Sequence, residues 1–262
     1  MPHQGSPAPR MEMARSLAIP ALLIVLLEAG VRGGWVGGES LPPPSEVVMQ
    51  AFGAAVDGSL WTVTLETLAS AFGGLAIGCV VGLALGVPLG LSEPLNRLTS
   101  LSIECFRPIP SIALLPVVMM IFGLGYRLEI SLVAFATSWP ILVFSRSAMA
   151  GVHPRLREVG RMLGFSPLRR LVKILLPAAA PFIFVGFRLS VGMALVVAVT
   201  VEISANPLGL GNAIMLAEQT MRPSLMFALI VWTGAMGFVL NWIVSIGERS
   251  LFSVPTEDGS AP

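Results

Sequence analysis

A single basic stretch, residues 153–177, interrupts a chain that otherwise consists mainly of long apolar runs. Hydrophobic residues make up 55% of the chain and charged residues 12%, against roughly 25% charged residues in ordinary soluble domains. Apolar runs of this length predict helices that cross a bilayer. The basic stretch must then lie outside the hydrocarbon, because it carries six cations, which are Arg155, Arg157, Arg161, Arg169, Arg170 and Lys173.

The basic stretch is predicted to fold as two short amphipathic helices. Gly164 can end the first helix, since glycine readily adopts a positive φ, and Ser166 and Pro167 suit the N-cap and first residue of the second. Such a pair could rest on anionic headgroups or dock on a soluble partner, and amphipathicity alone leaves both open. Apolar residues recur at helical spacing in each half, at Leu156, Val159, Gly160 and Leu163 and then at Leu168, Leu171, Val172 and Leu175.

The spacing of further residues favours docking on a partner. Glu158 is followed six positions later by Gly164, and after nine more residues by the sequence Ile-x-Leu-Pro. This pattern resembles the EAA loop of ABC importer permeases, with Val159 and Gly160 in place of the two alanines usual in that family. We expect both replacements to lie on the buried face of their helix. The resemblance implies an ATPase-coupling site made of Glu158, Val159, Gly160, Gly164, Ile174, Leu176 and Pro177.

Three further strings carry the same resemblance, namely LPPPSEVV at 41–48, FRPIPSIALLPVV at 106–118 and PLGLG at 207–211. They resemble the permeases of nitrate, sulfonate and taurine importers, and the resemblance covers about residues 41–251. It implies an all-α integral membrane protein with about six transmembrane helices and the type I ABC importer permease fold.

The permease domain is expected to span residues 16–250, between disordered cytoplasmic tails at 1–15 and 251–262. Within it, Ser45 is expected to cap a short helix, and residues 205–224 are expected to form an outer loop. The predicted membrane passes cover residues 17–31, 64–91, 95–123, 128–149, 178–204 and 225–246.

Two sequence features shape these passes. Pro108 and Pro110 cannot both sit in a straight helix, so the third pass is expected to kink or split near residue 108. Glycines at four-residue spacing from Gly74 to Gly90 are expected to let another helix approach the second pass closely.

The resemblance also implies partners. A second, identical permease chain, two nucleotide-binding ATPase subunits and an extracytoplasmic solute-binding protein would complete the importer, and the solute would be a small anion such as a sulfonate, taurine or nitrate. The chain itself has no G-x-x-x-x-G-K-[ST] sequence, since its single lysine, Lys173, is followed by Ile174. We therefore expect no cofactor and no catalysis in this chain, with ATP and Mg²⁺ bound by the partner ATPase.

An ATP-independent secondary transporter is the alternative function. It would need an intramembrane acidic cluster, usually at a broken helix, and Glu104 is the acidic residue that the broken pass offers. A membrane enzyme would need a metal or acid-base site, and neither His3 nor His153 lies in a ligand pattern. Cys79 and Cys105 fall in apolar segments and are expected to pack there. The net charge of +1 argues against binding to nucleic acid.

Four charged residues in or beside the membrane passes are candidates for the solute path, namely Glu104, Arg107, Arg188 and Glu202. A charge within a membrane segment indicates function by default. Two simpler interpretations stay open. Arg188 is near enough to the end of its pass to extend its guanidinium to the membrane surface, and Glu104 can pair with Arg107 three positions along a helix.

The resemblance implies a multi-pass protein of the bacterial inner membrane. The distribution of cations predicts that both termini and the basic stretch lie in the cytoplasm. This orientation leaves Arg32, Arg127 and Arg222 outside. Twelve cations lie inside or at the inner boundary, three lie outside, and Arg188 is unassigned. The twelve are Arg10, Arg15, Arg97, Arg107, Arg146, Arg155, Arg157, Arg161, Arg169, Arg170, Lys173 and Arg249.

Cysteines on opposite sides of the predicted topology test this orientation. In a chain with Cys79 and Cys105 replaced by alanine, Ser166→Cys should react with a membrane-impermeant maleimide only after cells are opened. Asn212→Cys should react in intact cells. The measurement is labelling before and after permeabilisation, and labelling of Ser166→Cys in intact cells would contradict the orientation.

Overall fold

The computed structural model describes residues 9–35 and 41–252, which fold into helices joined by short turns. They include a 3₁₀ turn (Ser111–Leu114) and a π-helical turn (Leu171–Leu175). No strand occurs in these residues, which confirms the predicted all-α class. In chain order the α-helices are α1 (Pro9–Arg32), α2 (Pro44–Val56), α3 (Ser59–Leu91), α4 (Glu93–Phe106), α5 (Leu115–Phe122), α6 (Tyr126–Ala150), α7 (Pro154–Met162), α8 (Pro167–Arg170), α9 (Leu176–Ser204), α10 (Gly209–Gln219) and α11 (Pro223–Phe252).

Four helical segments are long and apolar enough to cross a membrane, namely α3, α6, the continuous run Pro167–Ser204 that contains α9, and α11. A fifth candidate is α4 together with Ser111–Phe122, two segments that meet at a bend of 80°. The bend contains Pro108 and Pro110, so the predicted break of this pass is confirmed. Four or five candidate spans in the described ranges are close to the six that we predicted.

The expectation of an outer loop at residues 205–224 is wrong, because α10 lies within it. Gly209 and Gly211 disfavour a helix locally, and Gly209 has a φ of +79°. The backbone N–H groups of residues 209–211 nevertheless find acceptors on side chains of α3 and α9. Tertiary contacts therefore start a helix that local propensity does not predict.

The start of the chain also differs from the prediction. α1 begins at Pro9, inside the range 1–15 that we expected to be a tail. The remaining tail residues, 1–8 and 253–262, lie outside the described residues. Ser45 does not cap α2, which begins at Pro44.

The described residues form two compact units, and the first contains residues 9–35, 41–61 and 213–232. In it, Glu28 of α1 holds the start of α2, because the Ser45 N–H and hydroxyl donate to its carboxylate at 3.0 and 2.8 Å. The Trp61 and Trp232 rings meet edge to face with their centroids 5.4 Å apart. A hydrogen bond and an aromatic contact thus join segments that are distant in sequence.

The second unit contains residues 62–212 and 233–252 and has α3, α6 and α9 at its core. α6 is the most deeply packed of the three, with Leu128, Leu132 and Val133 fully buried. Small residues of α9, such as Ala194 and Ala198, are also buried and let this helix pack closely.

The glycine stripe of α3 faces α6, which confirms that the stripe allows a close helix approach. A Cβ atom built on Gly82 would lie 2.8 Å from Cβ of Ile141 and 2.9 Å from the carbonyl oxygen of Ser138. No side chain fits in that space unless the two helices move apart.

Replacing Gly82 by alanine tests this packing. We expect Gly82→Ala to destabilise the protein by about 1 to 3 kcal/mol, because the methyl group overlaps Ile141. The control is Gly192→Ala in α9, where a Cβ meets no described atom within 4 Å and removal of glycine should be neutral or slightly stabilising. The measurement is the melting temperature in detergent, and equal values for the two variants would contradict the assigned contact.

Candidate functional site

The basic stretch folds as the predicted pair of helices, α7 and α8. Gly164 has a φ of +66°, which confirms that it ends the first helix in the left-handed conformation. The Ser166 hydroxyl accepts the N–H of Arg169 at 3.3 Å and confirms the predicted N-cap of α8. His153 caps α7 through Nδ1, which accepts the N–H of Arg155 at 3.2 Å. The first residues of both helices are therefore capped by side chains.

The apolar residues of this pair are mostly exposed in the chain. Met162 is 86% exposed and Leu168 70% exposed. Val159 is 44% exposed, so the expectation that it lies on a buried face is wrong. Glu158 lies beside it and is also exposed. Exposed apolar side chains among charges are typical of a protein interface, and the set comprises Leu156, Val159, Met162, Leu163, Leu168 and Val172.

Gly160 is the buried member of the motif, and its environment explains why it is not alanine. A Cβ on Gly160 would lie 2.7 Å from Cγ of Arg170 and 3.1 Å from Cδ1 of Ile174. The aliphatic part of Arg170 therefore crosses α7 where a methyl group would stand. Leu176 and Pro177 form the start of α9, so the motif ends in the membrane helix itself.

The four candidate path residues are placed in different surroundings. Arg188 of α9 forms an ion pair with Glu248 of α11 at 3.1 Å and a hydrogen bond to Asn241 at 3.3 Å. Glu104 is exposed, and no ion pair joins it to Arg107 in the described part of the chain. Arg107 lies just after α4 and lines a pocket at the break. The structure thus does not bring these residues together as one site.

Glu202, the fourth candidate, belongs to a buried polar cluster that the sequence analysis missed. Glu202 and Glu129 are each 1% exposed, and Asn206 is equally buried. The Ser70 hydroxyl donates to Oε1 of Glu129, and the Asn206 amide donates to Oε2 at 2.7 Å. We call Thr67, Ser70, Glu129, Glu202 and Asn206 the carboxylate cluster.

The carboxylate cluster accepts hydrogen bonds from backbone N–H groups at the start of α10. The N–H of Gly211 donates to Oε2 of Glu202 at 2.7 Å, and that of Leu210 donates to the Thr67 hydroxyl at 2.9 Å. Glu66 accepts the N–H of Gly209, also at 2.9 Å. The free N–H groups at the start of α10 therefore meet oxygen atoms from α3 and α9.

Glu129 had a signal in the sequence, since it is the acidic residue of the predicted pass at 128–149. The cluster does not resemble a metal site, because no three His, Cys, Asp or Glu side chains of the described ranges come together as ligands. Oε1 of Glu202 has no hydrogen-bond partner among the described residues.

Comparison with known proteins adds an independent line of evidence. The family described as "Binding-protein-dependent transport system inner membrane component" matches residues 59–253. The taurine transport system permease protein TauC of Escherichia coli is 29% identical over 216 residues, which cover 80% of this chain and 77% of that protein. The bicarbonate transport system permease protein CmpB of Synechococcus elongatus is 27% identical over 195 residues, covering 74% and 70%.

The fold also resembles a solved structure. A chain from the inward-facing MetNI methionine ABC transporter superposes with a TM-score of 0.64 at 23% identity, covering 72% of this chain and 94% of that one. The similarity concerns the arrangement of the helices.

Removal of Asn206 tests the structural importance of the carboxylate cluster. Asn206→Ala should destabilise the protein by about 1 to 3 kcal/mol, because Glu129 loses a donor and the N–H of Gly125 loses its acceptor. Asn212→Ala is the control, since the Asn212 side chain makes no hydrogen bond to another described residue. Melting temperatures in detergent compare the two, and an unchanged value for Asn206→Ala would contradict this role.

Proposed function

The chain belongs to the family of binding-protein-dependent transport system inner membrane components, and from this premise we propose that it imports a small anion, driven by ATP that a partner subunit hydrolyses. It is a multi-pass membrane protein and the permease subunit of an ABC importer. The observation that carries the ATP-driven proposal is the exposed apolar and charged surface of α7 and α8, which has the EAA-type spacing.

The anionic nature of the solute is supported by the relatives. TauC is named for taurine, which carries a sulfonate group, and CmpB for bicarbonate. Both solutes are small and have oxygen atoms that carry negative charge. A permease for such solutes needs cationic or hydrogen-bond donor groups along its path.

The proposed partners follow from what this chain lacks in sequence and exposes in structure. It has no phosphate-binding loop of its own, so ATP and Mg²⁺ would bind a separate ATPase. We propose a dimer of identical permease chains, two ATPase subunits docked on α7 and α8, and a solute-binding protein on the opposite side. The charge asymmetry of the sequence supports a cytoplasmic position for α7, α8 and both termini.

ATP hydrolysis would be coupled to transport through α7 and α8, which would move as one rigid unit. The joint between them is fixed by Gly164 and the Ser166 cap, and the run from Pro167 to Ser204 continues into the membrane without a break. Movement of the docked ATPases would then move α9 as a rigid body and change which side of the membrane the path faces.

The conformation of Gly164 provides the first test of coupling. A Cβ there meets no described atom within 4 Å, so substitution acts through the backbone alone. In Gly164→Val, the left-handed conformation at residue 164 should become less favourable by about 1 to 2 kcal/mol or more. The backbone between α7 and α8 should then change, and the amount of co-purified ATPase should fall about tenfold. Gly164→Asn is the control, because asparagine tolerates this conformation, and it should retain near wild-type values.

Charge reversal at Glu158 provides a second test and separates docking from contact with lipid. Glu158→Lys should lose ATPase association and solute-stimulated ATP hydrolysis in liposomes, since a buried interface group would lose its partner. The matched control is Glu218→Lys in α10, also an exposed acidic residue. A loop that only rests on anionic headgroups would tolerate Glu158→Lys, and wild-type values for this variant would refute the coupling site.

A further inference from the structure

The break between α4 and α5 opens a pocket of about 310 Å³ within the second unit. We propose that this pocket holds the solute in transit, as a site for a small oxyanion whose charge is met by Arg107. The inference rests on the proposed function and adds the place at which the anionic group is bound. The pocket has a polar side formed by Arg107 and Ser111, and apolar walls formed by Trp139 and Pro140 of α6 and by Met193 and Val197 of α9.

Arg107 has a charge that no described residue pairs with. Its guanidinium makes no hydrogen bond or ion pair within residues 9–35 and 41–252. By contrast, Arg32, Arg97 and Arg188 each reach a carboxylate at 3.1 Å or less. Glu104 is the nearest acidic residue along the chain, but no carboxylate lines the pocket in the described structure. An anion from outside the chain can therefore bind Arg107 without displacing an internal partner.

The depth of the pocket fits a site on a path across the membrane. Trp139 and Pro140 lie near the middle of α6, and Met193 and Val197 lie in the second half of α9. Irregular backbone at membrane depth is tolerated where it is buried in protein or lines a cavity, and the break meets this condition. Arg107 is exposed and lines this cavity. An ionisable residue that lines a cavity within the membrane indicates an ion or substrate pathway.

The chemistry of the lining favours an oxyanion. A guanidinium offers parallel N–H donors that match two oxygens of a planar or tetrahedral anion, and the Ser111 hydroxyl adds a further donor. The remaining lining residues are apolar, so Arg107 and Ser111 supply the polar side-chain contacts of the pocket. Arg107 therefore provides most of the recognition in this pocket.

Protection of a cysteine from alkylation tests the site directly. Met193→Cys, in a chain lacking Cys79 and Cys105, places a thiol on the wall opposite the break. The permease–ATPase complex in nanodiscs is treated with a small maleimide, with and without saturating taurine, nitrate or bicarbonate. We expect at least one anion to slow alkylation. Arg107→Gln should lower the affinity for that anion about tenfold to a hundredfold.

Two variants control this experiment. Arg97→Gln removes an exposed cation of α4 that already pairs with Glu93, and should leave protection unchanged. Arg107→Lys keeps the charge but loses the paired donors, and should restore part of the affinity. Val197→Cys is a second reporter on the apolar wall, for use if Met193→Cys folds poorly.

The outcomes separate the site from the function on which it rests. Protection by none of the three anions, or protection that persists in Arg107→Gln, would overturn the site even where the wild-type complex performs ATP-driven uptake. The alkylation assay does not require ATP. Anion protection that needs Arg107, in a complex that fails to couple ATP hydrolysis to uptake, would support the site and contradict the proposed function.

Discussion

In hydrocarbon no water can replace a lost backbone hydrogen bond, and this constraint decides where the chain departs from regular helix. Two departures lie in the second unit. The turn between α9 and α10 is satisfied by Glu66, Thr67 and Glu202, which accept three successive backbone N–H groups. The break after α4 instead contains two prolines, which have no N–H to satisfy, and it lines a cavity. Each departure is thus compensated by side chains or by residue choice.

Close packing of α3, α6 and α9 makes these two departures possible. The glycine stripe brings α3 against α6, and the small residues of α9 allow it to pack within the same core. The carboxylate cluster takes side chains from all three helices, while the pocket takes its walls from α6 and α9. Because both features depend on the same core, a change such as an added methyl group at Gly82 would disturb both.

Periodic and local signals in the sequence predicted much of the fold. The apolar runs predicted the membrane passes, and Pro108 and Pro110 predicted the bend. Gly164 and Ser166 predicted the joint between α7 and α8. Features that arise from tertiary contacts were missed. α10 begins at glycines whose N–H groups bind distant side chains, and Glu129 finds its donors on Ser70 and Asn206, both far away in sequence. The exposure of Val159 was also missed, because a stripe of apolar residues on a helix does not show whether this chain or another molecule covers it.

α9 connects all the sites discussed for this chain. It begins at Leu176 and Pro177, which close the EAA-type motif, and it ends next to Glu202 in the carboxylate cluster. Its 29 residues span about 43 Å, and Met193 and Val197 in its second half form a wall of the pocket beside Arg107. A displacement imposed at α7 and α8 would therefore reach the pocket through one continuous helix. The Glu202 carboxylate accepts the N–H of Gly211, and so ties the far end of α9 to the start of α10.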